Sequence, residues 1–271
     1  MASLETNVRQ AGADFTAIKE KIVANGVEVA EGTRTAEYAQ KVDEVYEAGK
    51  KAEYDEFWDA HQANGTRKNY ANTFACWALE NIYPKYDMKP TTTYMMFRAA
   101  GGSTGGYLDL AERLDECGVI LDTSECSTHQ YMFYESRITR VGVIDTRGAA
   151  SLNDIFDYSS IQTIDKLILR DDGSQTISGT FKACSELINI VIEGVIGQNG
   201  YNLRWSTKLS KASITSIINA LSTTTEGLTV TLSKAAVNKA FETSEGANDG
   251  EFSAEWNELE KSREDWTISL V

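Results

Sequence analysis

Only two histidines, His61 and His129, occur in this chain of 271 residues, so a Ser-His-Asp or Cys-His arrangement has few ways to form. Cys126-x-x-His129, with Cys117 nine residues upstream, supplies three of the side chains that zinc takes. No fourth ligand accompanies them, and packed side chains explain the same residues without a metal. Gly101-Gly102-Ser103-Thr104-Gly105-Gly106 has the glycines that let backbone amides converge on an anion. It lacks the Gly-Lys-Ser/Thr that would hold phosphates and reads as a loop. Asp55-Glu56 and Asp171-Asp172 are carboxylate pairs, but a glycosidase needs two carboxylates facing each other across a cleft, which neighbours in sequence do not establish. Asp171-Asp172-Gly173-Ser174 reads as a turn. The expectation is a protein that is not an enzyme, with no catalytic residue, no metal ligand and no cofactor.

The composition sets the background for that expectation. A chain with 42% hydrophobic and 24% charged residues is long enough to bury a core. A net charge of −14 argues against nucleic acid as a partner, because binding phosphates needs a basic face. No apolar run reaches the roughly 18 residues of a membrane span. Met1-Ala2-Ser3-Leu4-Glu5-Thr6-Asn7-Val8-Arg9 lacks the layout of a signal peptide, so synthesis in a cytoplasm without export is expected. Cys76, Cys117, Cys126 and Cys184 form no Cys-x-x-Cys pair and read as reduced, buried thiols.

The elements that would position any binding residue come in two kinds, helical and repeated. Leu4, Val8, Ala11, Phe15, Ile18 and Ile22 follow the alternating spacing of a heptad seam, which suits a helix buried against a second copy or another partner, or against its own domain. Further helix is expected through residue 62, ending at Asn64-Gly65. Tyr70, Phe74, Trp77, Tyr83 and Tyr86 read as an aromatic cap over the apolar end of a repeat array, with a carbohydrate platform as the alternative.

The array itself is a repeated frame. Phe181-x-x-Cys184-x-x-Leu187-x-x-Ile190-x-Ile192 is matched by Phe156-x-x-Ser159-x-Ile161-x-x-Ile164 with Leu167-x-Leu169, and by Phe133-x-x-Ser136-x-Ile138-x-x-Val141-x-Val143. Leu114-x-x-Cys117-x-Val119 is a further partial copy. Positions 114, 138, 161 and 187 lie 24, 23 and 26 residues apart, within the roughly 20–29 residues of a leucine-rich repeat. The unit at 181–192 resembles the BspA-like leucine-rich repeat, and the resemblance extends over about residues 110–241. Glu193-Gly194-Val195 stands where better-known leucine-rich repeats carry Asn/Cys-x-Leu. Leu209-x-x-Ala212-x-Ile214 with Ser216 to Leu221, and Leu228 to Leu232 with Ala235 to Phe241, are similar to the strand-plus-helix units that close such arrays in proteins encoded by phages and prophages of gut bacteria.

The resemblance implies an α+β protein: a helical attachment region at 1–62, an aromatic connector at 63–109, an irregular leucine-rich-repeat β-solenoid with strand-helix closing units at 110–243, and a linker, short helix and strand at 244–271. It also implies a virion structural protein, a tail or surface appendage component made in the bacterial cytoplasm. Other virion proteins are the expected partners, with a host-surface glycan or protein beyond them and a homo-oligomer through the heptad seam as an option. A cell-surface adhesin of the same repeat family and an enzyme acting on cell-wall glycans are the alternatives. With strand residues alternating in and out, Arg140, Ile144, Lys166, Ile168, Arg170, Asn189 and Val191 are the expected contact surface.

Overall fold

The computed structural model describes residues 68–79, 82–102, 106–242 and 252–271. The expected seam of Leu4, Val8, Ala11, Phe15, Ile18 and Ile22, the helical region at 1–62, and most of the linker from 244 lie outside the described residues.

The repeated phenylalanines sit at the centres of stacked turns. Each turn is held by two left-handed residues, two positions before and two after its ring. Tyr131 and Glu135 flank Phe133 with φ of 58° and 57°, and Asp154 and Tyr158 flank Phe156 with φ of 56° at both. Such conformations cost a non-glycine residue roughly 1–2 kcal/mol, so something must over-determine them. Two interactions do. The amide of Phe97 donates to Met132 O at 2.8 Å, that of Phe133 to Ile155 O at 2.8 Å, and that of Phe156 to Thr180 O at 3.1 Å, linking every turn to the next. The rings then lie face to face: Phe74 on Phe97 at 5.1 Å, Phe97 on Phe133 at 5.3 Å, Phe133 on Phe156 at 5.3 Å and Phe156 on Phe181 at 5.5 Å. Tyr201 closes the column at 5.4 Å, tilted by 58°. Cys184, in the small position of its frame, donates its thiol to Phe156 O of the preceding turn at 2.9 Å. The column reaches upstream into the aromatic stretch, where Phe74 is its first described ring and Trp77 meets Phe74 edge-on.

Parallel strands succeed the turns. β1 (Lys68–Asn69) pairs with β2 (Pro90–Thr92). β3 (Leu108–Asp109), β4 (Ile138–Asp145), β5 (Thr163–Ile168) and β6 (Asn189–Glu193) form a four-stranded sheet in that order. β7 (Asn202–Leu203), β8 (Leu228–Leu232) and β9 (Trp266–Leu270) form a three-stranded one. The four helices are α1 (Leu110–Cys117), α2 (Lys211–Ala220), α3 (Lys234–Ala240) and α4 (Ala254–Lys261), each begun by a side chain that accepts a first-turn amide: Asp109, Ser210, Ser233 and Ser253.

This architecture corrects the expected fold class. The described residues form a mixed α/β fold with two small parallel sheets, a two-stranded pair and four helices, and they do not form the leucine-rich-repeat β-solenoid. Three local causes account for the difference. Leu114-x-x-Cys117, expected to lead into a strand, lies in α1, which Gly118 ends with φ of 64°. Residues 209–214, expected to open with a strand, lead into and form α2 instead. That helix covers the edge of β6, where Ser213 Oγ accepts from the Ile190 amide at 2.9 Å and Ser216 Oγ from the Ile192 amide at 2.8 Å. Hydroxyls therefore take the place of a next strand, and pairing stops. The chain turns away at Gly194, φ 93°, where a Cβ would meet Leu169 O at 2.4 Å.

The register also differs from expectation. Val141 pairs with Ile164, which pairs with Ile190, and Ile144 with Leu167, which pairs with Ile192. Leu167 thus lies three residues beyond its expected place beside Val141. Buried residues recur every third position, at 138, 141 and 144 in β4 and at 164 and 167 in β5 with Ile161 just before it, in place of the expected alternation. A register shift between Ile164 and Leu167 reconciles β5 with the shorter β6.

Because the rings hold the turns together, Phe156→Ala should destabilise the protein by about 3–5 kcal/mol. Ser213→Ala, which strands the buried Ile190 amide, should cost about 1–3 kcal/mol. Denaturant unfolding of both variants checks this, with the larger loss expected at Phe156.

Candidate functional site

Equivalent positions of successive turns lie above one another, so the residue after each ring forms a row of its own. That row reads Arg98, Tyr134, Asp157, Lys182, and the residues two before the rings supply Met95, Tyr131 and Asp154 beside it. With Tyr94 they line an open groove of about 590 Å³. The tyrosines make a continuous edge-to-face series: Tyr94 to Tyr131 at 6.2 Å, Tyr131 to Tyr134 at 5.5 Å, and Tyr134 to Tyr158 at 6.0 Å. Arg98 stands over the Tyr134 ring at 6.0 Å and Lys182 over the Tyr158 ring at 5.0 Å.

Asp157 is the polar floor of this groove. It is 3% exposed, its Oδ1 has no hydrogen-bond partner, and its Oδ2 lies 3.9 Å from Lys182 Nζ. Burial pushes its carboxyl up to about 6, against the opposing pull of Lys182. Burial and the neighbouring Glu135 and Asp157 push the Tyr134 phenol up as well, so it stays a neutral hydrogen-bond donor. The groove thus offers aromatic faces, two cations and two carboxylates on a fixed backbone. Its sequence signal was the residue that follows each framed phenylalanine, hidden because the frame was read for its apolar members.

The residues singled out for chemistry stand elsewhere. His129 is buried, its Nδ1 shares a hydrogen bond of 2.9 Å with Thr93 Oγ1, and burial pushes it down to about 4. Cys126 donates to Pro90 O at 3.2 Å, and burial pushes the Cys184 thiol up to about 12. Cys76, by contrast with the expected burial of the thiols, is exposed. Among the described residues no group of three His, Cys, Asp or Glu could hold a metal ion, and no helix is long and apolar enough to cross a membrane. Asp172 accepts from the Ser174 amide at 2.9 Å and the Ser174 hydroxyl at 2.7 Å, which holds its carboxyl below the ordinary range within a turn. Residues 103–105 of the glycine loop, and His61, lie outside the described residues.

The three cations of the expected contact surface are all engaged, Arg140 and Lys166 in ion pairs and Arg170 on a carbonyl. Arg140 forms two bonds to Asp165, at 2.9 and 2.8 Å, and lies 3.6 Å from Asp109. Lys166 reaches Glu193 at 2.8 Å, and Arg170 donates to Arg147 O at 2.9 Å. Asn189 and Val191 are exposed and Ile168 is half-buried. Ile144 is corrected: at 1% exposure it belongs to the core, and Val143, 51% exposed, is the apolar residue that β4 presents. The three-residue burial period causes this exchange.

No relative decides what the groove does. The chain matches no family model, no curated protein and no solved structure. Its function is therefore argued from the geometry.

Two buried groups give the protein opposed responses to acid. His129 has an ordinary value of 6.5 and a folded value of about 4, so between these pH values the unfolded chain binds more protons and stability falls as pH falls. Asp157 has an ordinary value of 3.8 and a folded value of about 6, so in that window the folded protein binds more protons and gains stability as pH falls. Asp157→Asn should therefore stabilise the protein at pH 8, by on the order of 1–3 kcal/mol, and steepen its loss of stability between pH 6 and 4. Denaturant midpoints of both proteins at pH 8, 6 and 4 check the sign.

Proposed function

We propose that this chain is a non-enzymatic structural component of a phage or prophage particle, a tail or surface appendage protein whose N-terminal region binds another virion protein and whose stacked turns are presented for host attachment. The observation that carries the binding half is the tyrosine groove, a row of aromatic and charged side chains set on turns that the ring column holds rigid. The particle half is supported by the resemblance of the Phe181 to Ile192 unit to the BspA-like repeat, by the similarity of residues 209–241 to the closing units of such repeats in phage and prophage proteins, and by the amphipathic seam from Leu4 to Ile22. The acidic charge of −14 disfavours nucleic acid as the partner and favours a particle protein that stays soluble before assembly.

One observation favours a second reading, an enzyme acting on cell-wall glycan. A carboxyl raised to about 6 beside a second aspartate, Asp154, is the environment from which a general acid works.

Purified particles from a host carrying the gene are expected to contain this chain in fixed proportion to the other tail proteins, and antibodies to residues 68–242 to label intact particles. Deleting residues 1–62 should abolish incorporation without unfolding the remainder. Particles free of the chain would overturn the reading, and release of reducing ends from cell wall by the purified protein would put the enzyme in its place.

A further inference from the structure

We infer that the groove lined by Tyr94, Tyr131, Tyr134 and Asp157, between Arg98 and Lys182, is a binding site for a neutral oligosaccharide. This deepens the attachment reading by naming the class of molecule bound, and it rests on that reading only for the ligand's origin on a bacterial surface.

Four features of the groove select that class. The first is the form of its walls. A pyranose ring has an apolar C–H face and a rim of hydroxyls, and a tyrosine side chain has the matching pair, an apolar ring face and a phenolic rim. The edge-to-face series gives the groove a run of three such rings, Tyr94, Tyr131 and Tyr134, at steps of 6.2 and 5.5 Å, which suits a polymer of rings better than one isolated group. The second is pre-organisation. A tyrosine loses few torsions on binding, and these rings are already braced by one another and by the cations above Tyr134 and Tyr158, so little ordering remains to oppose association.

The third feature is charge. Arg98 and Lys182 face Asp154 and Asp157 in one groove, with Glu135 beside Tyr134, so the charges are mixed with a small acidic excess and give an anionic ligand no advantage. Each of the four can instead exchange hydrogen bonds with hydroxyls, the cations donating and the carboxylates accepting. The fourth is Asp157 itself. Its carboxylate lines the groove beside Tyr134, with Oδ2 3.9 Å from Lys182 Nζ, so a sugar hydroxyl entering there meets a fixed acceptor. The volume of about 590 Å³ lies within the roughly 300–1,000 Å³ usual for small-molecule sites, and the groove is open along its length, so a chain can run through it.

The test uses the full chain on an array of bacterial surface polysaccharides, neutral and acidic, followed by calorimetric titration with the tetramer of N-acetylglucosamine and with oligosaccharides of the neutral glycans it retains. Saturable binding to at least one neutral glycan is expected, weakened at least ten-fold in the Tyr131→Ala/Tyr134→Ala double variant and unchanged in Tyr107→Ala, which alters a tyrosine 67% exposed and outside the groove. Tyr134→Phe keeps the stacking ring and removes one hydroxyl, so it should retain the fold and lose less affinity than the double variant. A blank array, binding confined to acidic polysaccharides and abolished by salt, or equal affinity in wild type and a folded double variant would each overturn the inference. Particles that carry the chain while the array stays blank would defeat the glycan site and leave attachment to a protein standing. Glycan binding by a chain absent from particles would do the reverse.

Discussion

The face-to-face contact of Phe97, Phe133 and Phe156, with interplanar angles of 1° and 0°, is the constraint on which the other features depend. Rings at this separation require that successive turns have the same backbone form, since a turn with another form would carry its ring out of line. The same form is what places two left-handed residues in each turn. Among the described turns, only that of Phe181 meets the demand with a glycine, Gly179, while Asn72, Met95, Tyr131 and Asp154 meet it with side chains. The chain thus tolerates local strain at many positions, and the ring contacts together with the turn-to-turn amide bonds hold that strain in place.

Where the column ends, other devices take over. The parallel sheet would expose the amides of β6 as a template for unwanted pairing, and α2 meets them with the hydroxyls of Ser213 and Ser216. On the outer face, Asp109, Arg140 and Asp165 line up across β3, β4 and β5, with Lys166 and Glu193 nearby. Exposed pairs of this kind add little stability, typically below about 1 kcal/mol, but they fix which strand lies beside which, because a shifted register would put like charges together. The ladder uses up the charged groups of that face. The groove keeps charged groups of both signs, Arg98, Lys182, Asp154 and Asp157, along its aromatic wall.

Much of this organisation is legible in the sequence. The Phe-x-x-small frame at 133, 156 and 181 located three turns, and the segments that became β4, β5 and β6 were placed side by side. The register was not legible, because Val141-x-Val143 fits alternation as well as Ile190-x-Ile192 does, yet only β6 alternates, while β4 and β5 bury every third residue along most of their length. Phe74 and Phe97 were missed as members of the column since Trp77 and Ala100 take the place of the Ser or Cys in the frame. Helix α2 was partly hidden by Leu209 and Ile214, whose spacing fits the repeat frame, while its decisive residues are serines whose role depends on amides 23 and 24 positions away in sequence. The site was least visible. Arg98, Tyr134, Asp157 and Lys182 share no chemical type, and only the backbone repeat shows that they occupy one row.

The separation of ring from row determines what the fold can support. The rings are fully buried, and any change in their size disturbs turns on both sides. The residue after each ring touches solvent or a neighbour in the row, and its replacement leaves the turn-to-turn amide bonds intact. Asp157 is the exception, being buried, and it is also the one member whose environment opposes its own ionised form. Its burial therefore works against stability above about pH 6, where the ring column has to offset it. The rest of the row is free to vary at small cost, so one rigid column can carry grooves of different composition, built from residues on which the fold scarcely depends.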